Sequence, residues 1–235
     1  YFMITFLLKL FIIFYLIYMI KNIYDMINYN KHASLYTIDN PNKDKVDSKL
    51  DSKSPLLLET TFPDITIQSL DLQIPGYIIK EEATLLSLHQ LSLSDTIHIH
   101  KNKRLVHDFG LTNHMDQLFD YVTNVFNCSK EYSMCIYRGK TITELYKNYR
   151  ERFLLTCVQG SPIVYIFNPK HENDIKGVDT TLIKKWGIKI ELHQGKSLYL
   201  PPEWYYFTES NNDCILSYME CDSYSTFLYN YLRKK

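Results

Sequence analysis

Glycine is scarce, with seven in 235 residues. None falls in a G-x-G-x-x-G or Walker-type loop, which excludes the phosphate-cradling turns of nucleotide-binding folds. Neither sign of charge is in excess, since 26 basic side chains balance 26 acidic ones. Net charge therefore gives no drive toward nucleic acid, and no nucleic-acid partner is expected. The five cysteines, Cys128, Cys135, Cys157, Cys214 and Cys221, include no C-x-x-C pair. That excludes a zinc knuckle, and their odd number and wide spacing are a poor basis for a disulfide framework. They read as reduced, partly buried thiols. A G-x-S-x-G elbow for Ser/His/Asp hydrolysis is missing, and no motif supports Cys157 as a nucleophile. No internal repeat is evident.

What is present begins with an apolar run. Residues 2–20 read FMITFLLKLFIIFYLIYMI, interrupted only by Lys9. As a helix rising 1.5 Å per residue, Met3 to Ile20 reaches about 27 Å, close to the hydrocarbon thickness of a bilayer. Lys9 can snorkel to the nearer headgroups. The run is apolar all round, unlike the one-sided stripe of a surface helix. A cleaved signal peptide would be shorter and end in small residues, whereas this run ends in Lys21, Asn22, Ile23, Tyr24 and Asp25. An uncleaved single-pass anchor over residues 1–22 is expected, with residues 2–20 as the membrane partner. Lys21 and Lys31 favour a cytoplasmic domain by the positive-inside tendency, but Asp25 offsets them and the side stays open.

Residues 31–55, KHASLYTIDNPNKDKVDSKLDSKSP, are polar and without apolar period. Residues 23–55 are accordingly expected to be a flexible linker, and residues 56–235 a single domain. In that domain short alternating runs predict strands at 64–72, 95–101, 103–109, 133–139, 153–160, 161–168, 188–194, 197–201 and 214–220. Helical periodicity is confined to 114–126 and to the stretch from Ser225. Gln159-Gly160-Ser161-Pro162 reads as a hairpin turn between two apolar strands. Many short strands with few helices point to a mainly β sandwich or barrel.

One segment carries a resemblance. Gly195 to Tyr206 reads GKSLYLPPEWYY. Glycine permits a turn, Leu198 and Leu200 share a face by period two, and Pro201-Pro202 stop the strand. This resembles the last iron-ligand segment of JmjC-type and asparaginyl hydroxylases, in which a metal-binding His follows the aromatics. Here Tyr206 stands in its place. Upstream, YRGKTITELYKNYRERFLLTCVQG (137–160) is similar to the family stretch bearing the H-x-D pair. Aligned on Thr143 and Leu145, that pair falls on Tyr146 and Asn148; aligned back from Gly160, it falls on Lys147 and Tyr149. Neither alignment supplies a histidine or carboxylate for a facial triad. The family's 2-oxoglutarate-binding Lys position holds Pro162.

The resemblance implies a double-stranded β-helix (jelly-roll, cupin-like) domain with a few helices behind a transmembrane helix. It further implies a pocket rim at Trp204 and Tyr205, and degenerate metal positions at Tyr146, Asn148 and Tyr206. On this reading the protein is a non-catalytic binding or scaffold module with no cofactor, open to a protein or peptide partner at the barrel mouth. The alternative is a divergent Fe(II)/2-oxoglutarate hydroxylase drawing ligands from His98, His100 or His193. His98 and His100 lie two apart on an expected strand and could share a metal, though paired solvent-facing residues are the simpler reading. His107, His171 and His193 stand alone, and His114-x-Asp116 falls where a helix begins.

Overall fold

The computed structural model describes residues 2–63, 65–74, 76–81, 84–93, 98–123 and 127–233. The chain begins with α1 (Phe2–Ile27), β1 (Tyr36–Ile38), α2 (Lys43–Leu50), β2 (Leu56–Glu59) and α3 (Ile67–Gln73). It continues with β3 (Ile78–Glu81), β4 (Thr84–Ser87), α4 (Leu88–Leu93), β5 (Ile99–Asn102), α5 (Lys103–Asp108) and α6 (Thr112–Val122). The strands β6 (Asn127–Tyr137), β7 (Thr141–Ile142), β8 (Tyr146–Lys147), β9 (Arg152–Gln159) and β10 (Ile163–Phe167) follow. Last come α7 (Glu172–Ile175), α8 (Thr180–Ile183), β11 (Ile188–Glu191), β12 (Lys196–Tyr199), β13 (Tyr205–Ser210), β14 (Cys214–Ser223) and α9 (Tyr224–Arg233).

Two sheets form the body. One runs β1-β2-β12-β9-β14-β6-β5, the other β11-β10-β13-β7, with β8 also paired to β13; β3 and β4 form a separate hairpin. From β6 onward the chain passes repeatedly from one sheet to the other. β6, β9, β12 and β14 lie in the larger sheet, and β7, β8, β10, β11 and β13 in the smaller.

The pleat explains the sequence pattern of the larger sheet. In β14, Cys214, Leu216 and Tyr218 face the second sheet, together with Cys135 and Tyr137 of β6 and Phe153, Leu155 and Cys157 of β9. The alternate residues Ile215, Met219, Met134, Ile136, Leu154 and Val158 pack under the helices between β1 and β6. Both faces are covered, so the strands read as near-continuous apolar runs. The outer face of the smaller sheet carries Tyr165, Phe167, Tyr205 and Phe207, packed with Ile175 and Ile183.

α1 is long and apolar enough to cross a membrane, with mean hydropathy 2.4 over its best window and none of that window buried. A helix from a soluble core would bury such a surface. Near its end α1 meets the domain: Met26 is buried and Asn22 donates to Ser225 Oγ at 3.2 Å.

Several expectations need correction. Residues 36–50 are no flexible tether. β1 pairs in parallel with β2, and α2 is capped by Asn42, which accepts from Lys45 N, while it buries Val46 and Leu50. Two apolar residues four apart provide enough of a face to dock a short helix. The stretch 64–72, expected as a strand, holds α3, because Thr66 and Ser69 make a reciprocal capping box; Asp64 lies outside the described residues. Residues 103–109 form α5 in place of a strand. Asn102 caps it by accepting from Arg104 N at 3.0 Å, and Leu105 and Val106 are buried. The strand expected at 95–101 is β5, with 95–97 outside the described residues; the helix expected at 114–126 is α6, with 124–126 outside them. Gly160 turns no hairpin, since β9 and β10 belong to different sheets. Its φ is +90°, and a Cβ there would meet Asp213 O at 2.7 Å. Only glycine fits this crossing from sheet to sheet.

Candidate functional site

The segment from Gly195 to Tyr206 is built as its residue types require. Gly195 adopts φ +81° and its carbonyl accepts from Thr60 N at 3.0 Å. β12 then carries Leu198 inward, and Leu200 is buried beyond it. Pro201-Pro202 end the pairing, and Glu203 turns the chain with φ +68° before β13 begins. This turn is clasped by Asn148, whose backbone N donates to Trp204 O at 2.8 Å and whose carbonyl accepts from Glu203 N at 2.7 Å. The Asn148 side-chain amide donates to Leu200 O at 2.9 Å and Pro201 O at 3.0 Å, and its oxygen accepts from Arg150 N at 2.8 Å.

β8 and β13 pair with Tyr146 opposite Tyr206 and Lys147 opposite Tyr205. Opposed residues in a ladder point to the same side, so the two candidate alignments separate onto two faces. On the inner face the Tyr146 and Tyr206 rings lie 5.7 Å apart, Tyr206 lies 5.0 Å from Phe153, and Phe153 lies 5.9 Å from Tyr218. Burial pushes the Tyr206 and Tyr218 phenols well above their usual range, which keeps them neutral. On the outer face Lys147 Nζ sits 2.8 Å from Glu203 and 3.3 Å from Glu172, under the Tyr205 ring. Burial works against its charge, but the hydrogen bonds and charge interactions with Glu203 and Tyr205 together outweigh it and hold Lys147 protonated.

Of the two residues expected at a rim, Trp204 lines no opening. Trp204 is 0% exposed and Tyr206 only 3%, both within the inter-sheet core. Tyr205 points the other way, into an open cleft it shares with Lys147, Tyr149, Glu172 and Arg233. Pro162 is buried, and its carbonyl accepts from Leu192 N at 2.9 Å.

At the mouth of the inter-sheet space lies a cavity of about 190 Å³, lined among others by Lys101, Tyr146, Arg150, Phe153, Tyr206 and Glu220. Lys101 reaches in from β5 with a left-handed φ of +40° and its backbone N on Cys135 Sγ at 3.0 Å. Its ammonium is 2.7 Å from Glu220 and 5.3 Å from the centre of the Tyr218 ring. Arg150 bridges Glu220 at 3.1 Å and Asp222 at 2.8 Å. Burial raises the Glu220 pKa, but Lys101 and Arg150 more than offset it and leave it below the usual carboxylate range. Sequence reasoning missed all four of these ions. The available signal was Glu220 and Asp222, two apart and the only charged residues of their strand.

Iron does not fit the aligned positions. The Asn148 amide is fully committed to backbone groups, and the Tyr206 phenol is neutral and enclosed by aromatic carbon. His98 and His100 both pack against Tyr137, at 6.0 and 5.5 Å, and His98 Nδ1 accepts from Arg138 N. Burial lowers the His98 pKa. His193 is exposed. Asp116 lies within α6, not at its first turn, and binds Lys130 and Tyr132. Among the described residues no group of three or more His, Cys, Asp or Glu is placed to hold a metal ion. What the arrangement offers is neutral phenols and ions already paired with one another. Compared with known proteins, the chain matches no family model and no curated protein.

Proposed function

We propose that this protein is a membrane-anchored module of the JmjC/cupin-like, double-stranded β-helix type that binds or scaffolds and does not catalyse. The observation that carries this reading is the strand order. β12-β9-β14-β6 in one sheet faces β11-β10-β13 with β7 and β8 in the other, and from β6 to β14 the chain passes between the two except at the β7–β8 and β10–β11 steps, which stay in the smaller sheet. That is how a double-stranded β-helix winds, as two interleaved turns of one ribbon. In such a barrel Tyr146 and Tyr206 stand side by side on the paired strands β8 and β13, where a metalloenzyme of this type would keep its imidazoles. Fold analogy alone does not assign a function; the filled aromatic interior and the committed Asn148 amide are what favour binding over oxidation. α1 supplies the anchor, and the protein or peptide partner would meet the barrel mouth around Lys101, Arg150 and Tyr146.

The test has two parts. Full-length protein should sediment with membranes and resist carbonate extraction, while a chain beginning at Tyr29, which keeps β1 and α2, should be soluble. Purified protein given Fe(II) and 2-oxoglutarate should show no succinate formation. Near-stoichiometric iron that is lost on replacing His98 and His100 would overturn the non-catalytic reading in favour of a divergent hydroxylase.

A further inference from the structure

α9 is amphipathic the wrong way round for a helix on a water-facing surface. Its inner face is polar: Ser225, Thr226 and Asn230 are buried. Thr226 donates to Glu151 at 2.8 Å, Asn230 donates to Tyr149 O at 2.7 Å, and Ser225 lies 3.1 Å from Ser223. Its outer face is apolar. Tyr224, Phe227, Leu228, Tyr231 and Leu232, spaced for one helical stripe, are each between 45% and 62% exposed. A contiguous stripe of large apolar side chains is not left to water without a partner.

The neighbour of that stripe identifies the partner. α9 begins against α1: Phe11, Tyr15, Tyr18 and Met19 of α1 line an apolar groove of about 350 Å³ with Ser223, Tyr224 and Ser225. Asn22 holds Ser225 at the domain boundary. At 1.5 Å per residue, Tyr15 lies about 10 Å further along α1 than Asn22, so the groove faces the first layer of whatever surrounds α1. We propose that α9 is a second membrane contact, an interfacial helix whose Tyr224–Leu232 stripe lies in the headgroup–acyl boundary of the bilayer that α1 crosses. The inference rests on reading α1 as a membrane anchor. The apolar surface of α9 is continuous with that of α1, and its polar face is already satisfied by the domain. The domain is then held flat against the bilayer and does not swing on a tether, which agrees with the ordered β1 and α2 in the expected linker.

The experiment uses the full chain reconstituted in phosphatidylcholine–phosphatidylglycerol vesicles containing lipids brominated on both shallow and deep acyl carbons. An environment-sensitive fluorescent amino acid replaces Leu228, Ile12 of α1, or Leu182 of α8, an exposed apolar residue outside the stripe, in three separate proteins. The expected result is quenching at Leu228 at least about twofold above that at Leu182, with Ile12 also quenched. Quenching at Ile12 with none at Leu228 beyond the Leu182 level overturns the proposal and leaves the anchor intact. A blue-shifted, unquenched Leu228 probe also overturns it, because a second protein surface then covers the stripe. Absence of quenching at Ile12 defeats the anchor reading itself, and the proposal with it.

Discussion

Tyr146 and Tyr206 face each other across the β8–β13 ladder with ring centroids 5.7 Å apart, while Lys147, one residue on, points to the opposite face and pairs with Glu203. The pleat thus makes the two sequence alignments physically distinguishable. Imidazoles at 146 and 206 would share the inner face; imidazoles at 147 and 206 would be separated by the strand. In proteins shown to be folded by circular dichroism, Tyr146→His with Tyr206→His should bind Co(II) at least about tenfold more tightly than Lys147→His with Tyr206→His. Visible absorption during Co(II) titration measures this. Tighter binding by the Lys147 pair would reverse the assignment of faces.

Leu198 lies at the centre of the inter-sheet core, 1% exposed. Leu198→Ala should destabilise by about 2–5 kcal/mol, the transfer loss plus the cavity left behind. Tyr206→His should cost roughly 1–3 kcal/mol, because the imidazole brings unpaired polar atoms among Phe153 and Tyr146. Urea denaturation of the two variants gives both values. A Tyr206→His variant as stable as the parent would place that side chain in water.

How much was legible depended on which force dominated each segment. The apolar run of α1 and the strands β9, β10, β11, β12 and β14 announced themselves because burial on one or both faces dictates most of their residues, whereas β13 was not read as a strand. α3 and α5 were misread because their apolar residues are too few to display a helical period. Their starts were marked only by Thr66 with Ser69 and by Asn102, capping signals that side-chain hydrogen bonds turn into helix. β1 and α2 were hidden by polar composition, since Ile38, Val46 and Leu50 are all they contribute to the core. At the site, the twelve-residue segment ending at Tyr206 was readable because glycine and proline fix backbone geometry locally. The Lys101–Glu220–Arg150–Asp222 network was not, because its members come from β5, the loop before β9, and β14, and only the folded topology brings them together.

That network makes an acid-sensitive contribution to stability. Burial raises the Glu220 pKa, but Lys101 and Arg150 overcompensate, so its folded-state pKa is depressed. A depressed carboxyl stabilises the fold above its unfolded pKa of about 4.3, and this contribution is lost as pH falls through the lower folded-state value. Asp222, two residues on in the same strand, is held by the same Arg150, and Glu131 of β6 lies 3.6 Å from Arg150. Lys101→Met should therefore shift the acid-unfolding midpoint to higher pH and cost at least as much stability near pH 9 as near pH 5, with the deficit shrinking only at low pH where Glu220 is protonated in both proteins. Far-ultraviolet circular dichroism across a pH series tests this. An unchanged acid midpoint would mean that Lys101 does not bear on Glu220 in solution.

Asn148 gives the sharpest separation between a relic of a metal site and a residue committed to structure. A carboxylate at this position would complete one side of a facial triad, and Asn148→Asp changes only an amide to an acid of equal size. In this fold, however, the amide nitrogen donates to Leu200 O and Pro201 O, and the side chain is buried. An ionised carboxylate would lose both donors and set its charge against two carbonyl oxygens. Asn148→Asp should therefore destabilise by roughly 2–4 kcal/mol near pH 7, more than Asn148→Ala, which removes the bonds without adding a charge. Because protonation restores one O–H donor, the deficit relative to the parent at the same pH should shrink as pH is lowered toward 4. Asn148→Ala should show no such recovery. Chemical denaturation of all three proteins at both pH values measures the two differences. If Asn148→Asp is neutral at pH 7, the clasp between Asn148 and the Leu200–Pro201 turn is not what holds β8 to β13. A carboxylate would then be tolerated at the position where the proposed fold would place a metal ligand.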